Sequence, residues 1–334
     1  MNVLHVGPKN FPPNHGGVEK VVYDLVMGMD QTASHVLTEW ENDSPWPRAQ
    51  VLQRGILKAV RQIRQYCRDQ SIDVVHLHKE SFTPHALLLS LKGVKCVLTV
   101  HGCGWRLARW PLHYRVAIFL MDWLACLWGP DVVFVGQRDW RLFKRLSFFR
   151  PVHFIPNGVN GDRHPPASPK AGIVYLGRLS PEKNIEGLAR AAESSGVPLD
   201  LYGPFDKHDP GFRKAVLKLL QGCTHVRWRG AVSFDKVRQT IAGYRAFVNP
   251  SFSEGLPVSV LEAAAEGLYL ILSDIAPHRL LGFPACSYVD PSRISFADVP
   301  WDLLDGEGNC EHVKTAFSLD GMIQAYRDIY EGTA

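Results

Sequence analysis

The sequence contains no C-x-x-C pair, although it holds seven cysteines. An odd number of widely scattered cysteines argues against a disulfide framework and against a zinc ribbon, and a reducing cytoplasm is the simple expectation. Long apolar runs are missing too. The fullest, Val116–Trp128, is interrupted by Asp122 and is too short to span a bilayer. Met1-Asn2-Val3-Leu4-His5-Val6-Gly7 has no basic start and runs directly into a strand pattern, so no secretory signal is expected. No G-x-G-x-x-G follows that strand, which weakens a dinucleotide reading. The formal charge is only +4 over 334 residues, too small to point to nucleic acid.

What is present is ordinary for a globular chain of about two domains, with 46% apolar and 21% charged residues. The charge is unevenly placed. Residues 1–150 carry 19 Lys and Arg against 12 Asp and Glu, and residues 151–334 carry 18 against 21. A basic first half beside a mildly acidic second half points to a partner on the first.

The stretch 247–273, FVNPSFSEGLPVSVLEAAAEGLYLILS, organises the rest. Phe247 and Val248 end a buried strand, and Asn249–Gly255 is a polar loop. Pro257 is expected at the first helical position, Val258–Ala265 forms a short helix, Gly267 stops it, and Leu268–Ser273 is the next strand. The helix start offers free N–H groups and a partial positive charge, which suits phosphate. Glu254 lies in the loop and Glu262 lies in the helix, eight positions later.

Elsewhere strands and helices alternate, the pattern of a parallel, doubly wound sheet. In the first half, strands are expected at Asn2–Val6, Ser34–Trp40, Asp73–His78, Lys95–Val100, Val132–Val135 and Val152–Ile155. A loop ending in Gly16-Gly17 leads to a helix over Val18–Met29. Those glycines either bring backbone N–H groups to a phosphate or sugar, or serve only a tight turn. His76, His78 and His101 fall at strand ends, where ligands bind in such sheets. No carboxylate or cysteine accompanies them at a fixed offset, so no metal is assigned. A polar loop with Pro45 and Pro47 precedes a basic helix at 55–68. A Pro-rich stretch with Pro165, Pro166 and Pro169 marks the domain boundary. Beyond it, Gly172–Leu176 is a strand that ends in GRLSPEKN, with Ser180 as a cap and Pro181 opening a helix.

Two Glu eight apart inside SEGLPVSVLEA, together with GGVEKVV, His101-Gly102, IPNGV and GRLSPEKN, resemble the motifs of retaining glycosyltransferases of the GT-B fold, family 4. The resemblance covers nearly the whole chain, in the right order. It implies two facing Rossmann-like doubly wound domains with a donor cleft between them: 1–160 on the acceptor side, 161–315 binding the donor, and 316–334 as a C-terminal helix crossing back onto the first. It implies a nucleotide-diphosphate sugar as donor, with a UDP-sugar as the default, and no cofactor. Glu254 and His101 would act at the donor sugar and Glu262 at the ribose. Arg178 and Lys183 would clamp the diphosphate, aided by Gly255, Leu256 and Pro257 at the helix start and by Gly16 and Gly17. No D-x-D triplet occurs, so a metal-held diphosphate is not expected. The segment Ile275–Leu280 departs from the family's Gly-rich turn. The acceptor is expected to be a carbohydrate or a lipid-linked one, with no nucleic acid involved. A sugar-nucleotide epimerase of the same fold, or a non-catalytic nucleotide-sugar scaffold, are the alternatives.

Residues 106–150 hold eight basic residues, Arg106, Arg109, Arg115, Arg138, Arg141, Lys144, Arg145 and Arg150, against three acids. Five of the nine Trp lie in or just before this stretch. Two readings stand. Either the apolar helix is core and the cations are solvated, or the segment faces an anionic membrane, which would make the protein cytoplasmic and peripheral on the inner face.

Overall fold

The computed structural model describes residues 1–14, 16–40, 46–106, 110–165, 172–207 and 209–334; Pro45, Arg109, Pro166 and Pro169 lie outside them. The chain divides into two compact units, Met1–Asn157 with Asp320–Ala334, and Gly158–Leu319. Limits at 160 and 315 would fall inside the second unit. The reason is a local pairing: Val159 N donates to Phe317 O at 2.9 Å, and Leu319 N donates to Val159 O at 3.1 Å. The two ends of the unit are thereby tied to each other.

The first unit runs β1 (Val3–Val6), α1 (Gly17–Gly28), β2 (Ser34–Thr38), β3 (Ala49–Val51), α2 (Ile56–Asp69), β4 (Val74–His78), α3 (Thr83–Leu91), β5 (Cys96–Val100), α4 (Leu112–Leu127), β6 (Asp131–Phe134), α5 (Gln137–Leu146) and β7 (His153–Phe154). Its seven strands are all parallel, in the order β3-β2-β1-β4-β5-β6-β7. Every residue of β1, β2, β4 and β5 is buried. That matches near-continuous apolar strands covered on both faces. On one side Leu4, Leu77, Leu98 and Phe134 pack with residues of α2, α3, α4 and α5, among them Ile63, Ala86, Ala125 and Phe143.

The second unit repeats the plan with β8 (Ile173–Leu176), α6 (Ile185–Ser194), β9 (Leu199–Tyr202), α7 (Pro210–Gln221), β10 (Val226–Gly230), α8 (Val237–Ile241), β11 (Ala246–Asn249), α9 (Val258–Ala265), β12 (Tyr269–Ser273), α10 (Ala276–Arg279), β13 (Cys286–Val289) and α11 (Glu307–Ala316). The six parallel strands are ordered β10-β9-β8-β11-β12-β13. Gly267 closes α9 at φ 73, a left-handed position that suits a residue without Cβ. Asn309 of α11 is fully buried. Its side chain donates to Leu268 O at 3.0 Å and Ala285 O at 2.9 Å and accepts from Ala285 N at 3.0 Å, which staples the starts of β12 and β13.

The last helix, α12 (Leu319–Glu331), belongs to the first unit over nearly all its length. It buries Met322, Ile323, Tyr326, Ile329 and Tyr330. Tyr326 OH lies 3.0 Å from Thr99 Oγ1, Tyr330 OH lies 2.5 Å from His76 Nδ1, and Lys95 Nζ donates to the main-chain Tyr330 O at 2.7 Å. Both phenols find polar partners, as buried tyrosines must.

In each sheet the strand order reverses once, at β1/β4 and at β8/β11. Open parallel sheets bind ligands beyond the carboxyl ends of the strands at such points.

Candidate active site

The reversal at β8/β11 sets two loops side by side that are far apart in sequence. After β8 comes Gly177–Asn184, and after β11 comes Pro250–Pro257. The loops are joined by Phe252 N donating to Glu182 O at 3.0 Å and Asn184 Nδ2 donating to Pro250 O at 3.4 Å. Across the join, Lys183 Nζ lies 2.6 Å from Glu254 Oε1. Ser251 Oγ at 2.7 Å and Asn249 Nδ2 at 3.2 Å donate to the same oxygen. All three contacts go to Oε1, and among the described residues Oε2 has no partner. Burial alone would push the Glu254 carboxyl up. Lys183, His278 and the Ser251 hydroxyl outweigh it and hold the carboxyl below its ordinary value.

The start of GRLSPEKN differs from the expectation. Pro181 opens only a 3-10 turn, Pro181–Lys183, and Asn184 at φ 55 turns the chain before α6 begins at Ile185. Among the described residues the Ser180 hydroxyl caps nothing and is buried without a partner. This turn is what aims Lys183 at Glu254. Arg178 is half exposed. Its guanidinium lies 3.0 Å from Glu182 Oε1 and 3.6 Å from Asp206 Oδ2. An arriving phosphate must compete with these carboxylates, and each is partly solvated, so each contact is weak.

Pro257 stands one residue before α9 and not at its first position, because its ψ of 115 is extended. No side chain caps this helix start. Gly255 precedes it, and Leu256 is buried against the unit. Glu262 lies in the second turn, buried to 6% exposure. The motif reading missed His278. It lies in the segment that departs from the family pattern, fully buried on α10, with Nδ1 3.0 Å from Ser273 Oγ and Nε2 without a partner. Burial pushes its pKa down, against the opposing pull of the Glu254 charge.

In the first unit the β1/β4 reversal gathers other groups. Gly16 caps α1 at φ 112, a conformation open to glycine. The start of the helix beyond it, at Gly17, is already met by a carboxylate. Glu19 is buried, accepts from Lys9 N at 3.2 Å, and folds so far over Gly16 that a Cβ there would sit 2.1 Å from Oε2. Lys79 Nζ lies 3.8 Å from Glu19 and 2.5 Å from Glu39. Lys79 takes φ 101, strain that a non-glycine residue carries only where its surroundings hold it. Glu19 stands inside GGVEKVV, where only the glycines were singled out, and Glu39 and Lys79 stand in no motif.

His101 follows β5, partly exposed, with Nε2 3.5 Å from His78 Nδ1. Burial, then Lys79, pushes its pKa down to about 3, so the ring is neutral. Ring nitrogens of His5, His76 and His78 come within 4.8 Å of one another. His76 has both nitrogens engaged, Nδ1 with Tyr330 OH at 2.5 Å and Nε2 with Thr99 Oγ1 at 2.7 Å. A cation there would have to displace a hydroxyl and leave it buried without a partner.

The helix α4 is core on one face only: Ala125 and Cys126 belong to the core, and Phe119, Met121 and Trp123 pack against it. Only Asp122, Ala125 and Cys126 of that helix are buried. Leu112, Val116, Leu120 and Leu124, at four-residue steps, are all exposed, Leu112 to 71%. Phe148 and Phe149, just after α5, are exposed to 75% and 87%. Asp122 faces inward with Oδ2 unpartnered among the described residues, and burial, then Glu80, raises its carboxyl to about 8. Among the described residues no helix is long and apolar enough to cross a membrane.

Comparison with known proteins agrees with this geometry. Residues 15–163 match the model of Glycosyltransferase Family 4, and residues 170–292 match that of Glycosyl transferases group 1. The chain is 26% identical over 314 residues to a GDP-mannose:cellobiosyl-diphosphopolyprenol alpha-mannosyltransferase of Xanthomonas oryzae pv. oryzae, covering 83% of this chain and 80% of that one. It is 22% identical over 252 residues to a UDP-Gal:alpha-D-GlcNAc-diphosphoundecaprenol alpha-1,3-galactosyltransferase of Escherichia coli, covering 67% and 64%. The structure is similar to that of a sucrose-phosphate synthase from Thermosynechococcus elongatus, with a TM-score of 0.82 at 18% identity, covering 99% and 100%. The fold is GT-B.

The Lys183–Glu254 contact carries a pH signature. A carboxyl held below its unfolded value stabilises the fold above that value and loses the contribution as pH falls through the folded one. In Lys183→Met the main opposing cation is gone and burial dominates, so the Glu254 carboxyl rises and the sign reverses. The variant is expected to lose about 3 kcal/mol at pH 7.5, the scale of a broken buried pair, and most of that deficit should vanish near pH 4. Chemical denaturation across pH 4–8 reads it. A deficit that stays constant over that range would show that the two charges are not coupled.

Proposed function

We propose, for a chain that belongs to the family 4 and group 1 glycosyltransferases, that it moves a hexose from a nucleotide-diphosphate sugar to a lipid-linked carbohydrate, with retention and without a metal ion. The observation that carries the donor half is the cluster of Arg178, Lys183 and Glu254 beyond β8 and β11. Arg178 and Lys183 supply positive charge for the leaving diphosphate, and the uncapped start of α9 adds its dipole. Glu254 serves two ends: Oε1 holds Lys183, and Oε2 is left for a hydroxyl of the donor sugar. Glu262 reaches the ribose. In the transfer the bond from the anomeric carbon to phosphate oxygen breaks, and the acceptor oxygen bonds to the same face. The acceptor proton passes to the leaving phosphate oxygen. The two relatives are named for different donors, GDP-mannose and UDP-Gal. Uridine diphosphate sugars are therefore the first donors to test and guanosine ones the second.

The acceptor half rests on those two names, each of which specifies a diphosphate-linked polyprenol, and on the surface of the first unit. An exposed apolar face on α4 beside exposed Arg138, Arg141, Lys144 and Arg145 on α5 suits one occupant, an anionic lipid surface. Among the described residues no carboxylate lies within 4 Å of these four cations. The α4 face and Phe148-Phe149 would enter the headgroup layer, and the cations would meet the lipid phosphates. Each cation near an anionic leaflet adds about 1 kcal/mol.

Two outcomes are expected. By calorimetry, Arg178→Ala should weaken a nucleoside diphosphate about tenfold or more, the value of one charged hydrogen bond, and leave the nucleoside unchanged. Equal loss for both ligands would remove Arg178 from the phosphates. In flotation with anionic vesicles, the protein should bind at low salt and release as salt rises. Arg141→Glu with Lys144→Glu should abolish binding while the fold persists. A wild type that stays unbound at low salt, or a dimer that covers α4 instead, would overturn the membrane assignment.

A further inference from the structure

Three imidazoles form a line at the carboxyl ends of β1, β4 and β5. His5 Nδ1 lies 3.2 Å from His78 Nε2, and His78 Nδ1 lies 3.5 Å from His101 Nε2. His5 and His78 are fully buried, and the line ends at the partly exposed His101. At the inner end His5 Nε2 is buried without any partner among the described residues. His76 stands beside the line, its ring centroid 3.8 Å from that of His78, and takes no part, because its nitrogens are held by Tyr330 and Thr99.

Burial keeps all three rings neutral; it pushes His5 and His101 down to about 3, and His78 well below its ordinary value. A neutral imidazole has one N–H and one bare nitrogen. The line therefore has two proton arrangements. In the first, His101 Nε2–H donates to His78 Nδ1, His78 Nε2–H donates to His5 Nδ1, and the His5 Nε2–H is left buried with no acceptor. In the second, His5 Nδ1–H donates to His78 Nε2, and His78 Nδ1–H donates to His101 Nε2. What remains is a bare nitrogen at His5 Nε2. A buried orphan N–H is rarer than an under-used acceptor, so the second arrangement is the stable one.

We infer that His5 and His78 are positioning residues that lock His101 as the tautomer protonated at Nδ1. His101 then offers a hydrogen-bond donor at Nδ1, which no described residue occupies, and its Nε2 is held by His78 and cannot act as a base. The ligand class that fits is a neutral hydroxyl-bearing one such as a sugar. This deepens the proposed function and rests on it for the identity of the hydroxyl, but the tautomer itself does not.

The test is long-range 1H–15N correlation on the full chain with 15N-labelled histidine at pH 7.5, without ligand, using His101→Gln to assign the His101 signals. The wild type should show His101 protonated at Nδ1 and bare at Nε2. His78→Leu should let His101 shift toward the Nε2–H form. His78→Asn, whose amide can donate from the place of Nδ1, should restore the wild-type pattern. In turnover, His78→Leu should lower kcat/KM roughly tenfold, about the value of one neutral hydrogen bond, and His78→Asn should recover most of it. An Nε2–H tautomer for His101 in the wild type, readable even if His78→Leu does not fold, overturns the inference. So does an unchanged His101 pattern in a folded His78→Leu. The predicted spectra together with unaffected turnover would leave the inference standing and remove His101 from the donor reading.

Discussion

The second unit depends on one buried contact, Lys183 against Glu254. Two charges of this kind cannot sit in a protein interior unless each has its partner in place. The parallel sheet supplies that placement: β8 and β11 are neighbours, so the loops that leave them meet although the residues are 71 apart in sequence. The 3-10 turn at Pro181–Lys183 and the left-handed Asn184 then fix the direction of the lysine. Ser251 and Asn249 add donors to the same carboxylate oxygen, so the glutamate is held in one orientation with its second oxygen unused. In the proposed reaction, a diphosphate arriving beside this group would meet a cation whose position is already set. No reorganisation would then be needed as charge develops on the leaving group, which is where preorganised electrostatics are most effective.

The first unit solves its equivalent site differently. Where the second uses charge, the β1/β4 reversal uses neutral rings and compensated carboxylates. His5, His76 and His78 are stacked in the sheet without charge, and Glu19 is shared between Lys9 N and Lys79. Such a surface is poor at gathering a second anion and good at presenting hydrogen bonds to hydroxyl groups. Anionic attraction in this unit is displaced to α5, beside the exposed apolar face of α4. The uneven charge of the two halves of the sequence thus has a structural counterpart: exposed cations on α5 of the first unit, and locally paired charges beyond β8 and β11 of the second.

Most of the sheet framework was readable from the sequence because parallel strands are buried on both faces and leave near-continuous apolar runs. The 247–273 unit was read almost residue by residue. The errors have physical causes. Pro257 has the φ of a helix start but an extended ψ, which no pattern reveals. The strand β3, at a sheet edge, has one partly exposed residue and two exposed ones, so no apolar run marks it. The helix α11 owes its place to the buried amide of Asn309, an interaction with no periodicity. The helix α4 was legible as a helix, but Leu112, Val116, Leu120 and Leu124 face outward, and composition alone reads apolar as core. Pairings across the sheet were invisible, since Lys183 with Glu254, and His5 with His78, are brought together by strand order and not by spacing. His5 in particular is hidden in an apolar strand that gave no reason to single it out.

The account stands or falls on metal-free transfer with retention from a nucleotide-diphosphate sugar. It is tested most directly by following turnover by 1H NMR, with a donor hexose, a lipid-linked acceptor and EDTA present. The expected record is loss of the donor's anomeric proton signal and growth of a product signal with the same anomeric configuration. A product of inverted configuration, donor converted to another sugar nucleotide without any transfer, or turnover only after a divalent ion is restored would contradict it.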